Sequence, residues 1–301
     1  MPAKMVVIDT DPATGYAFKD VDDGLAILYL LARKSEFDVL GLTVVHGNAS
    51  QERARAKAHE IVGLVDRAEV PVLRGAKNRR EPGRETPASV FLNEAVRSRP
   101  GEVTVLALGP LTNVATAGLR DPEFYSRVAR IVTMGGVFAD GLGIPLLPPI
   151  EFNFFKDPEA AEAVLAAPCE KVLITADLCR QAVFTRRDLD SLWGMSSRAA
   201  TYLAYRIEPW LKLNQVAPFL GWRGGFVPWD VVAAVYLRRP DLFGEVEMRA
   251  LGLKKGRLAT GALEERAGGD FPVTIPMRLE PDPLLDEFLE AISLFGREPG
   301  R

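Results

Sequence analysis

The chain has 301 residues, 48% of them apolar and 26% charged, with a formal net charge of −3. This composition excludes a disordered or fibrous chain and leaves room for one large α/β domain; the charge balance offers no basic face for gripping nucleic acid. The longest apolar run, residues 25–32, is too short to cross a bilayer. Residues 1–8 lack the pattern of a secretory leader. Cys169 and Cys179 are too few for a disulfide framework or a cysteine-based zinc site, and His46 and His59 leave little for a histidine-rich metal centre. The expectation is a cytoplasmic enzyme with a small-molecule substrate and neither a nucleic-acid nor a membrane partner.

Short β-branched runs alternate with longer amphipathic stretches, the pattern of βα units. Residues 5–8 read as a first strand, and residues 22–33 carry apolar positions at helical spacing. Residues 39–45 read as a second strand, after which Ser50 caps a helix over 51–64. Further short buried strands are predicted at 70–73, 103–107, 130–134 and 171–175, with helices at 111–119, 158–165 and 198–213. Residues 246–250, 257–260 and 272–276 read as antiparallel edge strands, and 284–294 as a closing helix. No composition break or repeat divides the chain. The fold class is therefore α/β, one doubly wound, mainly parallel, Rossmann-like sheet over residues 1–301, with a few antiparallel C-terminal strands. Such sheets bind ligands at the carboxyl ends of their strands.

The first strand ends in Asp9-Thr10-Asp11-Pro12, and Asp22-Asp23 opens the next helix with Asp20 beside it. Carboxylates so concentrated repel one another unless a cation offsets them, and hard oxygen donors suit Ca²⁺ or Mg²⁺. Helix capping accounts for one or two of these acids but not for four.

Two families resemble this opening. Haloacid dehalogenase-like phosphatases begin with a strand and two aspartates, the first a nucleophile and the second a proton carrier; on that resemblance Asp9 would be the nucleophile. Nucleoside hydrolases carry Asp-Thr-Asp-Pro-Gly-x-Asp-Asp-Ala, and more of the chain is similar to them. Gly41 to Asn48, the segment Gly109-Pro110-Leu111-Thr112-Asn113, Met134-Gly135-Gly136, Glu151-Phe152-Asn153 with Asp157-Pro158-Glu159-Ala160-Ala161, and Trp229-Asp230 resemble that family's segments in the family's order.

The resemblance implies a nucleoside hydrolase fold and a calcium-dependent hydrolysis of the N-glycosidic bond of ribonucleosides. Asp11, Asp23, Asp230 and the backbone carbonyl of Leu108 would hold Ca²⁺, with Asp11 also the general base. Asp22 would bind the ribose diol, Asn48, Glu151 and Asn153 other sugar hydroxyls, and Met134 would pack beside the sugar. A homodimer or homotetramer is the family's usual assembly. Read without the resemblance, Asn48 is a turn residue, Asp157 a helix cap, Asp230 a cap, and Glu151 with Asn153 a buried structural pair.

The chain also departs from the family. Ala13 to Val21 forms an insertion where members have two residues, bringing Tyr16, Phe18 and a reserve ligand, Asp20, next to the expected metal site. Trp229 stands where many members carry a base-protonating histidine; a purine-preferring subgroup is similar in having Trp there, stacked on the base, and so purine nucleosides are expected. The loop between Gly136 and Glu151 has no Asn for the ribose 5′-hydroxyl. These departures keep a second expectation open, a catalytically altered or inactive member that still binds ribosides. His46 is expected to be structural, the basic cluster at 79–84 to be a solvated loop, and Trp210, Trp222 and Arg223 to lie near the site's rim.

Overall fold

The computed structural model describes residues 2–80, 82–138, 150–216, 224–254, 260–266 and 271–296. In chain order the first half comprises β1 (Lys4–Thr10), α1 (Asp22–Ala32), β2 (Phe37–Val44), α2 (Gln51–Leu64), β3 (Val72–Arg74), α3 (Pro87–Ser98), β4 (Val103–Ala107), α4 (Thr112–Arg120), α5 (Phe124–Arg127) and β5 (Arg130–Met134). The second half continues with β6 (Val137–Phe138), α6 (Phe152–Lys156), α7 (Pro158–Leu165), β7 (Lys171–Ile174), α8 (Ala176–Cys179), α9 (Arg186–Trp193), α10 (Arg198–Val216), α11 (Trp229–Arg238), β8 (Phe243–Arg249), β9 (Leu251–Leu253), β10 (Ala262–Glu265), β11 (Val273–Leu279) and α12 (Pro281–Ser293).

The main sheet runs β3-β2-β1-β4-β5-β7-β11-β8. It is parallel throughout except for β8, which lies antiparallel to β11 at the edge. A short second sheet, β6-β10-β9, stands apart from it. Alternation along the central strands gives two cores: Val6 and Ile8 of β1 face one helical layer, Val7 the other. The first layer holds α1, α2, α10, α11 and α12, and the second α3, α4, α5 and α7. The chain moves outward from β1 to β2 and β3, then returns to place β4 on the other side of β1. That reversal opens a crevice beyond the ends of β1 and β4, where doubly wound sheets bind ligands.

Two expectations are corrected here, and a third lies largely outside the described residues. The strand over 273–279 is interior, paired parallel to β7 through Thr274 and Val172, because β8 and not β11 takes the edge. The strand expected at 257–260 falls largely on residues 257–259, outside the described residues; β10 begins at Ala262 and joins the small sheet instead. Helices α3 and α9 were not expected. Both carry Thr capping boxes, Thr86 with Ser89 and Thr185 with Asp188, a local signal present in the sequence.

Helix α1 is buried along nearly its whole length, from Asp22 to Leu31, and packs against α11. The far ends of these two helices are tied to α12 by one carboxylate. Glu287 Oε1 lies 2.6 Å from Arg33 and accepts the Tyr29 hydroxyl at 2.9 Å, while its Oε2 lies 2.6 Å from Arg238. Arg33 and Glu287 are both buried, so deleting either leaves an uncompensated charge. Glu287→Ala is expected to cost about 3 kcal/mol or more in urea unfolding; a loss below about 1 kcal/mol, the worth of an exposed pair, would show that the network does not anchor these helices.

Candidate active site

A cavity of about 390 Å³ opens at the ends of β1, β2, β4 and β5, and its wall includes Asp11, Asp22, Asp23, Asn48, Leu108, Met134, Glu151, Asn153, Trp229 and Asp230. Every residue that the nucleoside hydrolase resemblance assigned to the metal or the substrate thus faces one space. Six of the lining groups are acids, Asp20 completing the set, and Lys19 is the one cation among the described lining residues.

Two helix N-termini bring the acids together. Asp22 and Asp23 occupy the first turn of α1 and Asp230 the first turn of α11, where unpaired N–H groups and the helix dipole favour negative charge. The Asp230 N–H donates to Asp22 Oδ2 at 3.2 Å, so the acid of one helix satisfies the start of the other. One oxygen from each of Asp22, Asp23 and Asp230 lies within 4.8 Å of the others, and all three residues are buried. Asp11 borders this triad: its N–H donates to Asp23 Oδ1 at 3.1 Å, as does the Thr10 hydroxyl, and its own Oδ2 accepts the Asn48 N–H. The group of three that converges is therefore Asp22, Asp23 and Asp230, with Asp11 alongside.

Two glycines let the backbone approach Asp11. A Cβ on Gly47 would come within 2.0 Å of Asp11 Oδ2, and one on Gly109 within 2.9 Å of Oδ1. The Gly-containing ends of β2 and β4 therefore form a cradle that a side chain would fill.

Asn153 and Glu151 organise the opposite wall. The Asn153 amide donates from Nδ2 to the carbonyls of Leu108, at 2.9 Å, and Met134, at 3.1 Å, joining the ends of β4 and β5. Glu151 is the N-cap of α6; its carboxylate accepts the N–H groups of Asn153, Phe154 and Gly136 at 2.7, 2.9 and 2.8 Å. Asp157 likewise caps α7 and accepts the Thr112 hydroxyl at 2.6 Å.

Asp9 is not in the cavity wall. It is fully buried, and its Oδ1 accepts Thr43 Oγ1 at 2.6 Å and Asn113 Nδ2 at 2.8 Å. A phosphatase nucleophile needs an exposed oxygen, so the haloacid dehalogenase-like reading fails on this placement. His46 lies outside the wall, half-buried. Arg79 lines a separate, smaller cavity. Trp210 joins the rim as expected, whereas Trp222 and Arg223 lie outside the described residues. Sequence reasoning missed Lys19, Ile150, Phe152 and Ala176, which also line the cavity; Lys19 sits inside the segment 13–21, and nothing in the local sequence signals that it turns inward.

Burial and mutual repulsion dominate the electrostatics. Burial first, then the neighbouring Asp23, pushes Asp11 well above the usual carboxylate range. Burial with Asp20 and Asp23 does the same for Asp22, and burial with Asp22, Asp23 and Asp11 for Asp230. Burial lifts Asp23 and Asp20 to about 6 and Asp9 to about 7. Buried, converging carboxylate oxygens are the donor set of a hard divalent cation, and the residues present fit one.

The comparisons with known proteins agree. The inosine-uridine preferring nucleoside hydrolase family matches residues 6–282. The chain belongs to this family. It is 33% identical to a probable uridine nucleosidase 2 of Arabidopsis thaliana over 84% of each chain, and 31% identical to uridine nucleosidase 1 of the same plant over 89% of this chain and 84% of that one. It is 28% identical to the pyrimidine-specific ribonucleoside hydrolase RihA of Escherichia coli over 80% and 82%. Among solved structures, the plant nucleoside hydrolase PpNRh1 superposes with a TM-score of 0.83 at 24% identity, covering 97% of this chain and 99% of that one. A purine-preferring ribonucleoside hydrolase from Gardnerella vaginalis gives 0.84 at 22% over the same shares. The protein is an N-glycosyl hydrolase of ribonucleosides with the nucleoside hydrolase fold.

The raised carboxyl groups give the metal-free nucleoside hydrolase a signed dependence on pH. Each acid holds its proton more tightly folded than unfolded, so its favourable contribution is complete below the ordinary carboxylate range, near 4, and is lost as pH rises through the folded values of about 6 to 7. In the presence of a chelator, thermal unfolding at pH 8 is expected to occur at least about 5 °C below that at pH 5. An unchanged or higher midpoint at pH 8 would show that these acids do not repel in the folded state.

Proposed function

We propose that the enzyme is calcium-dependent and favours purine nucleosides. The observation that carries the calcium reading is the convergence of buried oxygens from Asp22, Asp23 and Asp230 in a cavity that Asp11 and Leu108 also line. In this reading Asp11, Asp23, Asp230 and the Leu108 carbonyl hold the cation, and Asp22 is left for the ribose diol. When bound, calcium supplies positive charge that returns these carboxylates to their ionised form and acidifies nearby water.

The chain's own residues then do the following. Asp11 takes the proton of the attacking water, its carboxylate held in place by the Asn48 N–H and the cradle of Gly47 and Gly109. Asp22 accepts hydroxyls of the sugar. The Asn153 amide nitrogen is committed to Leu108 and Met134, which leaves its Oδ1 for a ribose hydroxyl. Asn48 and Glu151 contact the remaining hydroxyls, although both Glu151 oxygens already serve backbone N–H groups and offer only their spare lone pairs. Met134 packs beside the sugar. As the N-glycosidic bond breaks, its electron pair leaves with the base, which takes up a proton from solvent, while water's oxygen bonds the ribose carbon; the positive charge that grows on the ring is stabilised by the surrounding carboxylates.

Support for purines comes from the aromatic side chains of the cavity wall, Trp229, Trp210, Phe18 and Phe152. Trp229 cannot transfer a proton, so it acts on the base by stacking. A second reading, uridine as the favoured substrate, is supported by the names of the relatives with 33% and 31% identity. The expected cytoplasmic homodimer or homotetramer belongs to the same proposal and rests on family membership.

Incubation with inosine, adenosine, guanosine, uridine and cytidine, with and without calcium, separates the readings by release of free base. The expected result is calcium-dependent release, fastest from the purine nucleosides, with Asp11→Asn lowering kcat by about 10³ or more. Fastest release from uridine would overturn the purine preference alone. Calcium-dependent riboside binding without release would support the inactive, riboside-binding alternative. Asp23→Asn and Asp230→Asn are each expected to weaken calcium binding in calorimetry at least tenfold; unchanged affinity in both would refute the ligand assignment. Trp229→Ala is expected to lower kcat/KM for purine nucleosides by roughly 10- to 100-fold and for uridine by less, the scale of one base–aromatic stack.

A further inference from the structure

A second cavity of about 430 Å³ adjoins the active site and shares Phe18, Lys19 and Trp210 with it. The insertion at residues 13–21 forms one side and α10 the other. The insertion is tightly fixed. Its base is closed by Thr14 Oγ1 donating to the Val21 carbonyl at 3.0 Å, and the Tyr16 hydroxyl donates to the Arg53 carbonyl at 3.1 Å. The Arg53 guanidinium stacks 4.1 Å from the Tyr16 ring centre, and a Cβ at Gly15 would meet Arg206 Cδ at 2.5 Å. Phe18 stands 81% exposed at the junction, in a left-handed conformation with φ of +59° that a non-glycine residue adopts only where its surroundings impose it.

The two cavities carry opposite charge. Six acids line the first, whereas Lys19, Arg206 and Lys212 line the second, with no acid among its described lining residues. Arg206 and Lys212 are partly answered from outside the cavity, by Glu60 at 3.5 Å and Glu208 at 3.0 Å. Lys19 has no ion-pair partner among the described residues. The rest of the wall is aromatic or aliphatic, with Tyr16, Tyr205 and Leu213. The shared wall holds Phe18, Lys19 and Trp210 and none of the residues assigned to the cation or the sugar, so the second cavity meets the first away from its sugar-binding groups.

We propose that this second cavity is an extension subsite for a nucleobase substituent that has an apolar stem and an acidic end, with Lys19 as its principal counter-charge. The inference rests on the nucleoside hydrolase reading and deepens it. The natural substrate class is then a base-modified ribonucleoside whose exocyclic amine carries a carboxylate-bearing chain. The apolar walls take the stem, and the cations take the carboxylate in charge-assisted hydrogen bonds.

The test compares adenosine with N6-pentyladenosine and N6-(4-carboxybutyl)adenosine, and cytidine with its matching N4 derivatives. Values of kcat/KM are read from free-base release and Kd from calorimetry. The carboxylated nucleoside is expected to exceed its neutral partner about tenfold in one base series or both. The advantage should shrink at high salt and disappear in Lys19→Met. Ala17→Trp, which fills the second cavity from its outer wall, is expected to weaken both substituted nucleosides at least tenfold and to change the unsubstituted one by less than about twofold. Equal handling of neutral and acidic chains, an advantage that survives Lys19→Met, or exclusion of both chains while adenosine or cytidine is still cleaved would overturn the subsite. A Lys19-dependent preference for nucleoside 5′-phosphates over the base-modified series would overturn its assignment to the base. Failure of every nucleoside to be bound or cleaved would count against the underlying reading, and retained binding without turnover would still decide the subsite through Kd.

Discussion

Crowding of buried negative charge is the constraint on which this structure depends. Asp11, Asp20, Asp22, Asp23 and Asp230 share one cavity; burial raises the proton affinity of all five, and repulsion from neighbouring carboxylates adds to it at Asp11, Asp20, Asp22 and Asp230. A fold that merely sought stability would not gather them, since each buried carboxylate gives up hydration that its neighbours cannot replace. The arrangement suits a cavity that positive charge enters, as the cationic character of the ribose ring in N-glycosidic cleavage and as the divalent cation that the converging oxygens of Asp22, Asp23 and Asp230 could hold. The same electrostatic feature therefore suits both a hard cation and the reaction.

Much of the surrounding architecture holds these groups in spite of their repulsion. The starts of α1 and α11 offer their positive ends to the acids, and the Asp22 carboxylate bonds the first turn of α11. At the opposite ends of those helices Glu287 gathers Arg33, Arg238 and Tyr29, so the two helices are clamped together at both ends. Gly47 and Gly109 bring backbone to Asp11 at distances no side chain would allow. Asn153 stitches the ends of β4 and β5, and the three N–H groups on Glu151 fix the segment that carries Asn153. Removing repulsion at one point would thus be felt as a change of geometry at another.

The parts legible in the sequence were those whose cause is local. Acids directly after β1 and at the start of α1, glycines where strands end, and Ser50 before α2 all announce themselves within a few residues. The site residues could be grouped because similar short segments recur in the family in the same order, not because their spacing revealed a shared cavity. What stayed hidden is non-local. The interior place of β11 depends on pairing with β7, about a hundred residues earlier, which its own sequence does not encode. That Glu151 would spend its carboxylate on Gly136 depends on how two loops meet. The difference between Asp9 and Asp11, only two residues apart, is one of context: Asp9 lies within β1 and is enclosed by Thr43 and Asn113, while Asp11 lies past the strand and opens into the cavity.

The loop over residues 13–21 adds a surface beside the acidic cavity while the acids on either side of it stay in contact. Residues 13–21 sit between the two halves of the acidic motif, yet Asp11 and Asp23 remain hydrogen-bonded to one another across it. Thr14 closes the loop's base, so its length is spent outward, towards α10, and not on the spacing of the acids. One end of the loop adds Asp20 to the negative cavity, and the next residue back, Lys19, faces both cavities. Charge therefore changes sign within a single step of the chain, at the junction marked by Phe18 and Trp210. A ligand that fits both spaces must change polarity over the same distance, and a plain ribonucleoside, neutral beyond its base, fits only the first.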